Sequence, residues 1–227
     1  MEIESLRFGY GSAGAVLNGL NLRLVRGERI GLTGANGSGK STLFQTIVGL
    51  LRPEAGSLRV LGECRKTERD FQEVRRHVGF LFQDSDDQLF CPTVGEDVAF
   101  GPRNLGFGPE EARARALRAL EQVGLAALED RISYHLSFGE KRLAALAAVL
   151  AMDPQVLLLD EPTAGLDEVM EERVATLIEA LPQAMIISSH NHPFLARVAT
   201  RNVRLEDGRV HAIHLSGRAD SRPATAG

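Results

Sequence analysis

A glycine-rich loop near the N-terminus restricts the possible folds more strongly than any other part of the chain. Residues 34–41 read Gly-Ala-Asn-Gly-Ser-Gly-Lys-Ser, a complete G-x-x-x-x-G-K-S pattern. An apolar run at Arg29–Thr33 precedes it, and Thr42 opens a predicted helix after it. A turn that merely caps a helix would explain the glycines but not the Lys-Ser pair. The pattern therefore predicts a strand, a phosphate-binding loop and a helix, in that order.

The residue types in this loop suit a nucleoside triphosphate. Glycines let successive backbone N–H groups face a polyphosphate, and the N-terminus of the following helix adds positive potential. Lys40 is expected to reach the β- and γ-phosphates, and Ser41 to offer its hydroxyl to Mg²⁺. We therefore expect a nucleotide and Mg²⁺ as the ligands of this loop.

The apolar pattern of the remaining chain is typical of an α/β core. Short and nearly continuous apolar runs predict parallel strands covered on both faces. Four such runs lie at Arg29–Thr33, Val78–Phe82, Val156–Asp160 and Ala184–Ser188. The first 25 residues instead alternate as antiparallel strands do, with turn chemistry at 8–11 and at Asn18-Gly19. They predict a small β-subdomain.

Two segments have the periodicity of amphipathic helices. One begins at Pro109 and is closed by Gly124, and its predicted shared face consists of Leu117, Leu120 and Val123. The other follows the acidic pair Asp167-Glu168, and its predicted face consists of Met170, Val174, Leu177 and Leu181. We expect the first helix to pack at the surface and the second to cover the sheet.

Composition and charge exclude several classes of protein. Hydrophobic residues make up 44% and charged residues 25%, which excludes a disordered or collagen-like chain. A net charge of −4 provides no global basic field for nucleic acid. The longest apolar run, at 143–152, is half of the about 20 residues that a membrane-spanning helix needs. Cys64 and Cys91 form no C-x-x-C pair, so we expect two inert thiols.

A pair of carboxylates follows the third apolar run. Leu157-Leu158-Leu159 leads directly into Asp160 and Glu161, and two acids at the end of a buried strand are costly without a cation. Asp160 is placed to hold Mg²⁺, and Glu161 to polarise or orient a water that attacks the γ-phosphorus. The alternative is a solvated acid pair at a strand end.

The segment Leu136-Ser137-Phe138-Gly139-Glu140 combines a helix start with a possible anion site. Ser137 and Glu140 form an S-x-x-E capping box that opens an apolar helix, which is a sufficient structural reason for both residues. The same helix N-terminus can also bind an anion.

In this order, the motifs resemble those of the ATP-binding cassette (ABC) family from Glu2 to about Leu215. Residues 34–41 resemble the Walker A loop, Gln83 the Q-loop glutamine, and 136–140 the family signature. Asp160 and Glu161 resemble the Walker B aspartate and the catalytic carboxylate that follows it. Residues 164–167 resemble the D-loop, and His190 resembles the switch histidine.

The resemblance implies a role for each matching residue. It implies catalytic roles for Glu161, His190 and Gln83, and Mg²⁺ ligation by Ser41, Gln83 and Asp160. It implies contacts to ATP from Tyr10, Gly34, Asn36, Gly37, Ser38, Gly39, Lys40, Ser41 and Thr42. Across a subunit interface it implies contacts from Ser137, Phe138, Gly139, Glu140 and the D-loop residue Asp167. Tyr10 stands where an aromatic stacks on adenine, with strand-end packing as the alternative.

The resemblance also implies an architecture. The expected fold is α/β, a P-loop NTPase with a RecA-like core, an N-terminal antiparallel β-subdomain and an inserted α-helical subdomain at about 88–152. A single nucleotide-binding domain would span 1–215, followed by a flexible C-terminal tail at 216–227. Hydrolysis of Mg·ATP is expected at the interface of a head-to-tail dimer.

Two segments, Phe82–Phe90 and Val94–Pro102, are similar to the ATPases of energy-coupling factor importers, especially the cobalt/nickel type. This similarity implies a peripheral motor on the cytoplasmic face of the cell membrane. Its implied partners are a second ATPase subunit in a homodimer, a transmembrane coupling subunit and a substrate-binding membrane subunit, without nucleic acid. The acidic Asp84, Asp86 and Asp87 are either a socket for basic coupling helices or a solvated loop.

Two departures from the family pattern leave alternatives open. Phe138 and Glu140 replace the usual third and fifth signature residues, Gly and Gln, and Asn191 follows His190 where an acidic residue is frequent. A degenerate regulatory subunit with little hydrolysis, or a motor for vitamin uptake, therefore remains as an alternative. A DNA-repair or chromosome-type cassette is disfavoured, because only 96 residues separate Lys40 from Leu136 and no heptad run fills them.

Overall fold

The computed structural model describes residues 1–11 and 14–215. The predicted tail at 216–227 lies outside the described residues. Within them the strands are β1 Glu2–Gly9, β2 Ala15–Arg23, β3 Arg29–Thr33, β4 Ala55–Val60, β5 Glu63–Cys64, β6 Val78–Leu81, β7 Val156–Asp160, β8 Ala184–Ser188, β9 Arg201–Glu206 and β10 Arg209–Ile213. The helices are α1 Lys40–Ile47, α2 Glu68–His77, α3 Val94–Asn104, α4 Pro109–Val123, α5 Phe138–Leu150, α6 Glu168–Ala180 and α7 His192–Val198.

The larger sheet has the strand order β10-β9-β3-β8-β7-β6. All neighbours from β9 to β6 pair in parallel, and only β10 is antiparallel. The four apolar runs are its adjacent strands β3, β8, β7 and β6, which confirms the predicted parallel core, although β6 ends at Leu81 rather than Phe82. The carboxyl ends of β3, β7 and β8 lie side by side, and loops that follow such ends line the crevices of α/β proteins.

The smaller sheet, β2-β1-β4-β5, is antiparallel and confirms the predicted N-terminal β-subdomain. One detail of the prediction is wrong, because Asn18-Gly19 lies inside β2 and is not a turn. Leu6 pairs with Leu20 and Arg7 with Asn18, so Gly19 is the extra residue of a β-bulge. Its φ of 73° is readily adopted only by glycine, and this is why turn chemistry occurs within a strand.

Helices α3, α4 and α5 form the helical subdomain and pack against one another. Helix α4 begins at Pro109 and ends before Gly124, which has a left-handed φ of 71°, as predicted. Its buried face is richer in alanine than predicted, and it consists of Ala112, Ala116, Ala119, Leu120 and Val123. Leu117 lies at the margin of that face and is half-buried. Small side chains let α4 approach α3 and α5 closely.

Helix α6 covers the sheet, and its N-cap is Asp167. Its buried residues are Val174, Ala175 and Ile178, whereas Met170 and Leu177 are half-buried. Leu181 is buried but lies one position beyond the helix end. The helix is confirmed, and of its predicted face Val174 and Leu181 are buried whereas Ala175 and Ile178 take the buried positions expected of Met170 and Leu177.

Two apolar clusters flank the larger sheet. One joins the sheet to the helical subdomain, α6 and α7, and the other joins it to α1, α2 and the smaller sheet. Alternate residues of β7 pack into the two clusters, with Leu157 and Leu159 on one side of the sheet and Leu158 on the other. Within the described residues, no helix combines the length and the apolar character that spanning a membrane requires.

Candidate functional site

The glycine-rich loop joins β3 to α1, and Lys40 is the first residue of that helix. Gly39 has a left-handed φ of 102°, and a Cβ there would lie 2.7 Å from Val16 Cγ1. Lys40 Nζ donates to the carbonyls of Gly34 (2.9 Å) and Ala35 (3.2 Å) and lies 3.3 Å from His190 Nε2. The loop therefore folds around the ammonium group and holds it beside His190.

Ser41 and Asp160 are 119 positions apart in sequence but directly bonded, since Ser41 Oγ donates to Asp160 Oδ2 at 2.6 Å. The other oxygen, Oδ1, accepts from the Ser188 hydroxyl at 2.5 Å. Asp160 is 2% exposed and Ser188 is fully buried. The ends of β7 and β8 thus orient a buried carboxylate toward the start of α1.

Glu161 follows Asp160 in a left-handed backbone conformation with a φ of 49°. Its N–H donates to the carbonyl and to the hydroxyl of Ser188, each at 3.1 Å. Its Oε2 accepts from the backbone N–H of His190 at 3.3 Å. Its Oε1 is buried without a hydrogen-bond partner in the described structure and lies 3.5 Å from His190 Nε2. An unsatisfied buried carboxylate oxygen costs free energy, so this atom is placed to accept a hydrogen bond from a water molecule.

A cavity of about 670 Å³ brings most of the predicted residues together. Those that line it are Tyr10, Asn36, Gly37, Gly39, Lys40, Ser41, Thr42, Gln83, Asp160, Glu161 and His190. Gly34 and Ser38 line a second cavity, which shares Asn36, Gly37 and His190 with the first. The predicted signature residues Ser137, Gly139 and Glu140 and the predicted D-loop residue Asp167 do not line the first cavity.

Tyr10 stands at the mouth of the first cavity. Its ring packs edge-on against Phe8 with centroids 4.9 Å apart, and its hydroxyl lies 3.2 Å from Thr42 Oγ1. The ring is nevertheless 50% exposed, which leaves one face open. Such a face suits a flat ligand that enters from the loop side.

The signature segment forms a capping box at the start of α5. Ser137 Oγ accepts from the Glu140 N–H, and Glu140 Oε2 accepts from the backbone N–H and the hydroxyl of Ser137, each at 2.8 Å. These hydrogen bonds lower the pKa of the Glu140 carboxyl. Phe138 is 55% exposed and lies against Gly165, where a Cβ would come within 3.0 Å of its ring. The extra bulk in the signature therefore rests on the chain's own D-loop.

An acidic side chain from another helix lies beside the predicted switch segment. Asn191 Oδ1 caps α7 by accepting from the Phe194 N–H at 3.0 Å, and its Nδ2 donates to Glu171 Oε1 at 2.7 Å. Glu171 belongs to α6 and lines the first cavity. An acidic group thus lies next to the segment although the residue after His190 is an amide.

Arg142 is a site residue that sequence reasoning missed. Its side chain is 2% exposed and touches backbone on both sides of the cavity floor. Desolvation lowers the pKa of its guanidinium to about 10, and the nearby carboxylates of Asp160 and Glu161 oppose that shift, so the group stays charged at pH 7. The available signal was its position on the apolar face of α5, four residues before Leu146.

Comparison with known proteins places this geometry in a family. The family model described as ABC transporter matches residues 17–164, which is more than half of the chain. The energy-coupling factor transporter ATP-binding protein EcfA of Methanocaldococcus jannaschii is 42% identical over 214 residues, which are 92% of this chain and 77% of that protein.

Two solved structures resemble the fold over nearly its whole length. One is CbiO1 from Clostridium perfringens, part of the ABC transporter complex CbiONQ, with a TM-score of 0.83, 35% identity and coverage of 92% of this chain and 86% of that one. The other is a dimeric post-hydrolysis state of the ATP-binding cassette MJ0796 bound to ADP and Pi, with a TM-score of 0.84, 26% identity and coverage of 96% and 99%. The chain belongs to the ABC transporter family and is an ATPase that binds and hydrolyses ATP for transport.

Proposed function

We propose that the chain is the motor subunit of an energy-coupling factor importer, peripheral to the cytoplasmic face of the membrane. In this proposal two copies form a homodimer beneath a transmembrane coupling subunit and a substrate-binding membrane subunit. The names of the M. jannaschii relative and of the C. perfringens structure support this class. The observation that carries the catalytic part is the Ser41–Asp160 contact beside the unpartnered Glu161 oxygen.

The residues around that contact fit Mg²⁺ and a triphosphate. Hydroxyl, carboxylate and amide oxygens are the donors that Mg²⁺ prefers, and Ser41, Asp160 and Gln83 supply them around one cavity. When bound, the ion neutralises phosphate charge. Lys40 then exchanges its loop carbonyls for phosphate oxygens, and the loop N–H groups bind the remaining oxygens.

Glu161 is the proposed hydrolytic carboxylate. Its Oε1 is placed to take a hydrogen bond from the attacking water, and the backbone of His190 and the Ser188 hydroxyl fix its orientation. His190 also lies beside Lys40, so it is placed to sense the γ-phosphate. Ser137 and its neighbours lie outside this cavity, so we infer that they contact the nucleotide held by the second copy.

The surface near Gln83 supports the proposed membrane partners. Asp84 and Asp87 line a third cavity with Phe82 and Phe138, and Asp86 is already paired with Lys141 Nζ at 2.6 Å. Nearby, Phe90 and Phe100 form an exposed edge-to-face pair with centroids 4.8 Å apart. Acidic groups beside exposed aromatics suit basic, amphipathic helices of a coupling subunit.

The proposed cargo is a cobalt or nickel ion, on the strength of the sequence similarity at 82–90 and 94–102. The second candidate is a regulatory subunit that binds ATP and hydrolyses little of it. Phe138 lies against the D-loop Gly165, and this contact is the observation that favours the second candidate.

The substitution Glu161→Gln tests the proposed function, because it keeps the shape of the side chain and removes its charge. We expect the variant to bind ATP, to lose hydrolysis by a factor of about 10² or more, and to elute as a long-lived dimer with ATP and Mg²⁺ in size-exclusion chromatography. Adding Ser137→Arg should restore the monomer through a clash while nucleotide binding persists.

Lys40→Ala is the matched control, since it should lose both ATPase activity and the ATP-dependent dimer. Hydrolysis by Glu161→Gln at the parent rate would remove Glu161 from the mechanism. A Glu161→Gln variant that stays monomeric at saturating ATP and Mg²⁺ would contradict hydrolysis at a dimer interface. A parent protein that binds ATP without turnover would favour the regulatory candidate.

A further inference from the structure

A single buried guanidinium connects three parts of the site. Arg142 Nη1 donates to the carbonyls of Phe82 (2.5 Å) and Gln83 (3.1 Å), with the Ser85 hydroxyl at 3.4 Å. On the other side, Nη2 and Nε donate to the three consecutive carbonyls of Asp160 (2.6 Å), Glu161 (2.8 Å) and Pro162 (3.1 Å). All three nitrogens of the guanidinium are therefore engaged with backbone or hydroxyl oxygens.

This arrangement differs from an ordinary buried ion pair. Within the described part of the chain, no carboxylate lies within 4.0 Å of the Arg142 nitrogens, and its immediate partners are peptide dipoles. Core packing alone would need no cation at this position, because burying one has a cost that an apolar side chain avoids. The fork geometry instead fits two backbone segments that must keep a defined separation.

One of the bonded carbonyls belongs to the residue with the unusual backbone. Glu161 has a φ of 49°, a region that residues with a Cβ rarely adopt and that persists only when the surroundings hold it. The Ser188 hydroxyl accepts a hydrogen bond from the N–H of Glu161, and Arg142 donates one to its C=O. Together they determine where the Glu161 carboxylate points.

We propose that Arg142 is a positioning residue that holds Glu161 in its hydrolytic geometry and couples it mechanically to the Gln83 segment. Arg142 lies on α5, five residues after the N-cap Ser137, so the helix that begins at the predicted signature carries the connection. A displacement at Gln83, next to the proposed membrane-facing surface, would then move Glu161 without contact between the two side chains. The proposal rests on the proposed hydrolytic role of Glu161.

The first test is Arg142→Lys, which keeps the charge but loses the planar fork. We expect kcat to fall at least tenfold while KM for ATP changes less than threefold, because the phosphate-binding loop is untouched. Arg142→Gln should lower kcat at least as much, and it provides the same test if the Arg142→Lys variant fails to fold. The control is Arg65→Lys, since Arg65 is also buried and bonded to a carbonyl, that of Val60, but lies on the smaller-sheet side. It should leave both constants unchanged.

A double-mutant cycle with Glu161→Gln separates positioning from general destabilisation. If Arg142 acts through Glu161, Arg142→Lys should not lower the residual single-turnover rate of Glu161→Gln further. Hydrogen exchange should accelerate in peptides covering 82–85 and 160–163 of Arg142→Lys, and not in Arg65→Lys.

Two results would overturn the inference: parent-like kcat in both Arg142 variants, or an equal fractional loss in the parent and Glu161→Gln backgrounds. Faster exchange in only one of the two peptides would overturn the coupling. Parent-rate hydrolysis by Glu161→Gln is a different result, which would overturn the role of Glu161 itself.

Discussion

The two cysteines show how burial and a neighbouring charge set the chemistry of a side chain. Asp97 is 4% exposed, and its Oδ1 accepts from the N–H groups of Phe90 and Cys91. Burial and the Asp97 carboxylate raise the pKa of the Cys91 thiol to about 11. The Cys64 thiol, in contrast, is exposed at the edge of the smaller sheet. The sequence-based expectation of an inert thiol therefore has a physical basis at Cys91.

We expect iodoacetamide at pH 8 to alkylate Cys64 and to leave Cys91 largely unmodified. The thiolate is the reactive form, and a pKa of about 11 leaves roughly one thiolate in a thousand at pH 8. Labelling of Cys91 should rise about tenfold per pH unit between 8 and 10. Peptide mass spectrometry of the folded protein measures both sites. Equal labelling of the two cysteines at pH 8 would contradict the assigned environment.

At the scale of elements, helix α5 combines a structural and a chemical task. Its capping box engages Ser137 and Glu140 with each other, while Phe138 between them lies on Gly165. Removing such a cap costs about 1 kcal/mol, so the box alone accounts for the two polar residues. The Phe138 contact has no such local reason. It links the signature to the segment that precedes α6.

Phe138→Gly should raise the ATPase rate severalfold at saturating ATP. The glycine removes the ring from the surface that we infer meets the second copy's nucleotide, and it frees Gly165. The helix start should survive because Ser137 and Glu140 are unchanged. Steady-state phosphate release measures the rate, and Val169→Gly, at another exposed apolar residue, is the comparison for a general effect of lost apolar surface. An unchanged or lower rate in Phe138→Gly would show that the ring does not restrain turnover.

At the scale of the whole molecule, the site lies where three segments that are distant in sequence meet. The loop after β3, the acids after β7 and the histidine after β8 converge because these strands are neighbours in a parallel sheet. The proposed membrane-facing surface includes Asp84 and Asp87, which line the third cavity together with Gln83. Ser41, Gln83, Asp160 and Ala164 line both this third cavity and the first one, so the two cavities adjoin each other at Gln83.

Asp84→Asn together with Asp87→Asn should weaken assembly with the membrane subunits and make assembly less sensitive to salt. Among the described residues neither carboxylate forms an ion pair, so both can attract basic helices, whereas Asp86 is paired with Lys141. Co-purification at low and at high salt measures the effect. Glu110→Gln with Glu121→Gln, the same change of charge on the exposed face of α4, should have no effect. Identical salt dependence in both double variants would mean that the acidic segment is a solvated loop.

Much of the fold was accessible from local pattern. Four parallel strands follow from the apolar runs, the ends of α4 from Pro109 and Gly124, and the capping box of α5 from Ser137, because burial periodicity and caps act over a few residues. The residue types at 34–41 and at Asp160-Glu161 likewise predicted the chemistry of the cavity, since phosphate and cation binding restrict which side chains serve.

The tertiary structure decided the contacts between segments that are distant in sequence. Turn chemistry at Asn18-Gly19 became a bulge because β1 pairs across it, and Glu171 reached Asn191 from another helix. Arg142 meets Gln83 and Glu161 only after α5 packs beneath both loops. Sequence by itself determined which groups are present and where elements begin, because those depend on local backbone preferences. Packing decided which groups meet, because a buried charge takes its partners from whatever backbone the fold brings within hydrogen-bond distance.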